Sequence, residues 1–123
     1  MGITVRDDPA LFLEGRIVAW IYLLTAGILE IIWAFAMKQS HGFTRLVPTI
    51  VMLVAMVSSV GLLTLAMRVL PLGTAYAVWT GIGAVGAFLV GVMVLGEAAN
   101  PMRIAAAVLI FAGLVLMKLS TSA

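Results

Sequence analysis

The chain has 123 residues, of which 64% are hydrophobic and 10% are charged. A water-soluble domain carries about 25% charged residues, so this composition excludes an ordinary soluble protein and indicates a membrane protein. The net charge of +2 arises from a few loop residues, which favours contact with lipid headgroups over nucleic-acid binding. The chain has no cysteine, which excludes disulfides and thiolate metal sites. Four segments of about 20 apolar residues predict an all-α membrane protein with four transmembrane helices.

The first 16 residues have mixed charge and lack the pattern of a secretory signal peptide. We interpret residues 1–16 as an N-terminal extension, expected to be flexible or to form a short surface helix from Asp8-Pro9. Residues 17–121 are expected to form a single transmembrane domain. Its predicted spans are residues 17–37, 46–67, 72–95 and 102–118.

The first span contains a single charged residue, Glu30, between Arg16 and Lys38. In a helix, Glu30 lies about 12 Å from Lys38 and about 21 Å from Arg16, so its carboxyl group must sit within the hydrocarbon region. An acid at that depth costs about 2.5–3.5 kcal/mol on insertion scales. We therefore interpret Glu30 as a binding site for a cation or a proton. The alternative is a protonated Glu30 that only holds helices together by hydrogen bonds.

Helical periodicity divides the first span into two faces. One face carries Glu30 among mostly small residues, and the opposite face is bulky and predicted to contact lipid. The members of the first face are Leu23, Ala26, Gly27, Glu30, Trp33, Ala34 and Met37, and those of the second are Ile28, Ile31, Ile32 and Phe35.

The second and third spans contain the other polar and aromatic candidates. Ser58 and Ser59 lie mid-span, and each hydroxyl could bond back to its own helix or turn toward Glu30. Tyr76 and Trp79 are three residues apart and share a helical face. They belong either to an interfacial aromatic belt or to the wall of a polar cavity, and the depth of Trp79 favours the cavity.

The third span is also rich in glycine. Its sequence matches G-x-G-x-x-G, but a dinucleotide site requires a preceding strand, which this apolar helical run excludes. The glycines are instead predicted to allow close helix packing and local bending. They are Gly81, Gly83, Gly86 and Gly91.

The fourth span has no polar interruption, which is typical of a packing helix. Lys118 near its end is expected to reach lipid headgroups or to pair with an acid of a neighbouring helix. The sequence contains no catalytic set and no metal-ligand spacing, so we predict neither an enzyme nor a cofactor or metal site.

An even number of spans places both termini on one side of the membrane. That side carries four basic residues and the other carries three, a bias too small to fix orientation. One chain with one acid cannot enclose a water-accessible site, whereas two antiparallel copies could form the inverted repeat that transporters use. The basic residues are Arg6, Arg16, Arg68 and Lys118 on one side, and Lys38, Arg45 and Arg103 on the other.

Several motifs resemble those of the small multidrug resistance transporters, and within them the guanidinium exporter subgroup. The resemblance covers residues 18–121, and its third-span motif is the most specific part. Gln39 departs from the subgroup, which often has Tyr there. The matching motifs are Trp20-Ile21, Gly27–Ala34, Lys38–Arg45, Pro71–Gly86, Gly96-Glu97, Arg103 and Gly113–Ser120.

This resemblance implies an antiparallel, dual-topology homodimer in the cytoplasmic (inner) cell membrane. It implies an antiporter that exchanges protons for guanidinium, with both competing for Glu30. The residues that resemble the family's pocket and acid-positioning residues are Trp33, Ser59, Tyr76 and Trp79, and Lys118 matches a subgroup feature.

The chemistry of guanidinium agrees with this reading, because its planar N–H groups match a carboxylate bidentately and aromatic faces attract cations. Two alternatives remain at this stage. One is a multidrug exporter of quaternary ammonium or aromatic cations, and the other is a non-transporting accessory membrane subunit.

Overall fold

The computed structural model describes residues 9–120, and these residues form four α-helices. All four are long and apolar enough to cross a membrane. The prediction of an all-helical chain with four membrane-spanning helices is confirmed. The helices are α1 (Pro9–Gln39), α2 (Leu46–Ala66), α3 (Leu72–Met93) and α4 (Pro101–Ser120).

Helix α1 is longer than the first apolar run, because it begins at Pro9 and continues without a break to Gln39. Proline is favoured in the first turn of a helix, where its missing N–H leaves no hydrogen bond unmade. Residues 9–16 are therefore helical and continuous with the first span. The remainder of the predicted extension, residues 1–8, lies outside the described residues.

The connection between α1 and α2 is a tight turn around Ser40. The Ser40 hydroxyl donates to the Met37 carbonyl at 2.7 Å and accepts from the Phe43 amide at 3.1 Å. His41 and Phe43 adopt positive φ angles on either side of Gly42. This turn ends α1 and reverses the chain, and His41 within it is exposed.

Helix α4 begins with Asn100 as its N-cap and Pro101 as its first residue. The Asn100 side-chain oxygen accepts from the Arg103 amide at 2.9 Å. Such a cap satisfies an amide that has no partner within the helix. It fixes the start of α4 beside the end of α3.

The helices pack around α1, which contacts both α2 and α3, while α4 packs against α3. Two small buried residues, Ala26 on α1 and Ser59 on α2, meet where these helices approach each other. None of the described residues of α4 is buried. The buried cluster at the centre comprises Ala19, Trp20, Leu23, Ala26, Leu63, Ala66, Leu70, Ala75 and Val78.

The bulky face of α1 is only partly directed away from the protein. Ile28 and Ile32 are exposed, in agreement with the predicted lipid face. The prediction was wrong for Ile31, which packs against α3, whereas Phe35 is half-buried and keeps part of its surface exposed. The reason for Ile31 is Gly86 on α3, whose missing side chain leaves room for the Ile31 side chain.

Candidate functional site

The carboxyl group of Glu30 lies against the backbone of α3 at Gly83. A Cβ atom added to Gly83 would lie 2.5 Å from Oε2 and 2.7 Å from Oε1 of Glu30. Real Cβ atoms do not approach other atoms so closely, so a side chain at residue 83 would force the Glu30 carboxyl group to move. Gly83 therefore forms the seat of the Glu30 carboxyl group.

Two polar side-chain atoms of α1 are buried without a hydrogen-bond partner among residues 9–120. They are Oε2 of Glu30 and the indole Nε1 of Trp33, one turn further along α1. A buried polar group left unpaired costs about 1–3 kcal/mol, so such groups in a protein call for a physical explanation. An acceptor and a donor on one helical face are groups that can bind a polar ligand.

Ser59 connects α2 to α1 one helical turn before Glu30. Its side chain is fully buried, and its hydroxyl donates to the Ala26 carbonyl at 2.6 Å. In the helical pattern, that same carbonyl accepts the backbone N–H of Glu30. Ser59 thus neither bonds back to α2 nor bonds to the Glu30 carboxyl, the two arrangements considered from the sequence. Ser58, by contrast, is exposed.

Trp79 extends this connection to α3. Its indole N–H donates to the Ser59 hydroxyl at 3.0 Å, so hydrogen bonds link α3, α2 and α1 in sequence. The Trp79 ring lies 5.6 Å from the ring of Tyr76 at an angle of 51°. The N–H of Trp79 is therefore used within the helix bundle. The Tyr76 side of the site is open, because Tyr76 is 53% exposed.

The other glycines of α3 contact different partners. A Cβ on Gly81 would collide with Leu114 of α4, and one on Gly86 with Ile31 of α1. A Cβ on Gly91 would collide with the Glu97 carboxylate in the α3–α4 connection. Helix α3 is helical throughout Leu72–Met93. These glycines thus permit close packing on several sides of an uninterrupted helix.

Lys118 contacts an aromatic ring. Its Nζ lies 4.4 Å from the centroid of the Trp20 ring on α1. This is a cation–π contact, which differs from both the headgroup contact and the ion pair expected from the sequence. It ties the end of α4 to the N-terminal half of α1.

The sequence analysis identified Glu30, Ser59 and Trp79 but missed how they are joined. The Ala26 carbonyl was overlooked because a backbone atom carries no sequence signal. The small side chain of Ala26, one turn before Glu30 on the same face, is the feature that could have indicated a close approach by α2. Among the described residues, no group of three metal-ligating side chains occurs.

Known proteins are similar to this chain over most of its length. The model of the Small Multidrug Resistance protein family matches residues 18–110. The guanidinium exporters of Citrobacter freundii and Klebsiella oxytoca are each 56% identical over 103 residues. That of Escherichia coli K12 is 55% identical over the same length, and each match covers 84% of this chain and 98% of the relative. The chain is thus a multi-pass membrane protein and belongs to the Small Multidrug Resistance family.

Proposed function

We propose that this protein exports guanidinium and related small guanidinyl cations in exchange for protons. The observation that carries the proposal is the Glu30 carboxyl group, held mid-span against Gly83 with Oε2 unpaired among the described residues. Relatives that match 84% of the chain are named guanidinium exporters. A membrane-embedded carboxylate supplies the charge that such a cation requires.

The exchange follows from competition for the same two oxygens. An ionised Glu30 can accept two parallel N–H bonds from a planar guanidinium ion, a strong charge-assisted arrangement. A proton on the carboxyl group removes the charge and one acceptor, so it displaces the cation. The rings of Trp33, Tyr76 and Trp79 can offer their faces to the bound cation.

We further propose that the working unit is an antiparallel homodimer with dual topology. A single chain leaves the site open at Tyr76 and leaves α4 without a buried described residue. A second, inverted copy would cover such surfaces and present the same site to both sides of the membrane. The nearly equal distribution of basic residues supports insertion in both orientations.

Transport into proteoliposomes tests the exchange. Under an imposed pH gradient, we expect purified wild-type protein to move guanidinium against the proton flux. Glu30→Gln keeps the shape of the side chain but cannot cycle a proton, so it should abolish exchange while remaining folded. Glu14→Gln is the matched control, because the exposed Glu14 lies outside the site. Proton-driven guanidinium movement by Glu30→Gln protein would refute the proposed role of Glu30.

The family description names multidrug resistance, which supports a second candidate function. This function is the export of larger quaternary ammonium or aromatic cations. The same proteoliposomes separate the two functions when a tetraalkylammonium ion replaces guanidinium. Strong tetraalkylammonium transport with weak guanidinium transport would assign the protein to multidrug export. No transport of either cation would favour an accessory membrane subunit.

A further inference from the structure

A cavity lies away from the Ser59–Trp79 connection, between the end of α1, the C-terminal half of α3 and the start of α4. Its volume is about 370 Å³. Its walls are apolar and include Phe35, Ala87 and Phe88, while Lys38, Glu97 and Arg103 also line it. We refer to this cavity as the α1–α3–α4 cleft. It thus combines an apolar wall with charged groups.

The charged groups of the cleft have a net positive charge, from two basic residues against one acid. Glu97 is already engaged, because its Oε1 lies 3.7 Å from Nη2 of Arg103. Lys38 has no ion-pair partner among the described residues. The positive charge of Lys38 is therefore available, and it disfavours a cationic occupant.

Arg103 is held in place but keeps hydrogen-bonding capacity. Its Nη1 donates to the Ala98 carbonyl at 2.6 Å, and its guanidinium lies 5.3 Å from the centroid of the Phe88 ring. A guanidinium has five N–H donors, and its fork geometry matches a phosphate group. The contacts with Ala98 and Phe88 orient Arg103 while leaving donors for a ligand.

Lys38 and Arg103 lie at the level expected for the interface between the membrane and water. Lys38 is in the last turn of α1 and Arg103 is in the first turn of α4, so both lie where spans end on the same side. Basic residues at that level meet lipid headgroups, and anionic lipids attract them. Ala87 is exposed, so the apolar wall is accessible from outside the chain.

We propose that the α1–α3–α4 cleft binds one anionic phospholipid, its phosphate at Lys38 and Arg103 and an acyl chain along Phe35, Ala87 and Phe88. The net positive charge favours phosphatidylglycerol over phosphatidylcholine, whose headgroup is neutral overall. This binding does not depend on the transported cation. It therefore stands or falls separately from the proposed export of guanidinium.

Native mass spectrometry of the full-length protein, delipidated in a neutral detergent, measures this binding. Phosphatidylglycerol and phosphatidylcholine with identical acyl chains are the probes. We expect tighter binding of phosphatidylglycerol by wild type, and about fivefold weaker binding after Lys38→Gln. Arg45→Gln is the matched control, since it removes a charge on the same membrane side outside the cleft lining.

A second variant tests the apolar wall without a change in charge. Ala87→Leu adds volume to an exposed lining position and should weaken phosphatidylglycerol binding while the protein stays folded. Equal losses for Lys38→Gln and Arg45→Gln would indicate nonspecific charge attraction and overturn the proposal, as would unchanged binding by Ala87→Leu. Displacement of the lipid by millimolar glycerol phosphate would show that the headgroup alone is recognised, which also contradicts the proposed acyl-chain contact.

Discussion

A single methyl group tests how Glu30 is held. In Gly83→Ala, the new Cβ would overlap the Glu30 carboxyl group, which must then move away from α3. A displacement of about 1 Å at a binding group can cost about 100-fold in rate. We expect guanidinium exchange by Gly83→Ala to fall about 10- to 100-fold, measured as uptake into proteoliposomes under a pH gradient.

The control for this change is Gly73→Ala in the same helix, where an added Cβ meets nothing within 4 Å. Alanine is favoured over glycine in helices by about 0.5–1 kcal/mol, so this variant should be at least as stable as wild type. It should also transport normally. If Gly83→Ala exchanged guanidinium at the wild-type rate, Glu30 would not depend on its position against residue 83.

Ser59 is expected to act by holding three helices together rather than by contacting the transported cation. Its hydroxyl is buried and bonds to both Ala26 and Trp79. Ser59→Ala leaves the Trp79 N–H without this partner, which should destabilise the protein by about 1–3 kcal/mol. Transport of guanidinium and of an alkylated guanidinium should then decrease to a similar degree.

The comparison of two substrates with Ser59→Ala distinguishes this positioning role from direct binding. A loss confined to unsubstituted guanidinium, with unchanged thermal stability, would mean that the hydroxyl contacts the substrate. Ser58→Ala is the adjacent control, because Ser58 is exposed and should change neither stability nor transport by comparison.

Sequence alone was sufficient to single out Glu30, because one acid in a long apolar run is a local feature. It could not show that Gly83 faces the carboxyl group, since this depends on the relative rotation and depth of α1 and α3. The hydrogen bonds of Ser59 were missed for the same reason. The bond that Ser59 donates ends on the backbone carbonyl of Ala26, which any residue type would supply.

At the scale of elements, α4 depends on a close contact with α3. A Cβ on Gly81 would lie 2.9 Å from Cγ of Leu114, so the Leu114 side chain or α4 would have to shift. We expect Gly81→Ala to lower the melting temperature in detergent, and Leu114→Ala to do so by loss of packing. Leu114→Ala creates the space that Gly81→Ala needs, so the double variant should lose less stability than the sum.

A double-mutant cycle measures this coupling in thermal unfolding. Strictly additive losses would mean that Gly81 and Leu114 do not meet. Gly61→Ala provides the control background, because an added Cβ at residue 61 meets nothing within 4 Å. It should show no coupling with Leu114→Ala.

The four helices themselves were predictable, because hydropathy and span length are properties of continuous segments. It was harder to predict which residues of each helix face lipid. Periodicity placed Ile28 and Ile31 on one lipid-directed face, yet the space at Gly86 accommodates Ile31 against α3. Helical periodicity cannot reveal a cavity on the partner helix that admits a bulky side chain.

At the scale of the whole molecule, no single helix determines the orientation of the chain in the membrane. Basic residues number four on the side of the termini and three on the other side. The retention of positive charge in the cytoplasm sets orientation only when the difference is large. A difference of one residue therefore predicts that copies insert both ways. This mixture is the condition for an antiparallel homodimer.

An introduced cysteine measures this directly, because the natural chain contains none. Ala99→Cys and Val69→Cys place exposed thiols at opposite ends of the bundle. A membrane-impermeant maleimide added to intact cells should label about half of the copies of each variant. Arg45→Gln widens the bias to four against two, so it should raise external labelling at residue 99 and lower it at residue 69. If, without Arg45→Gln, one site is labelled completely and the other not at all, the orientation is fixed. A parallel arrangement or a partner chain would then have to replace the antiparallel homodimer.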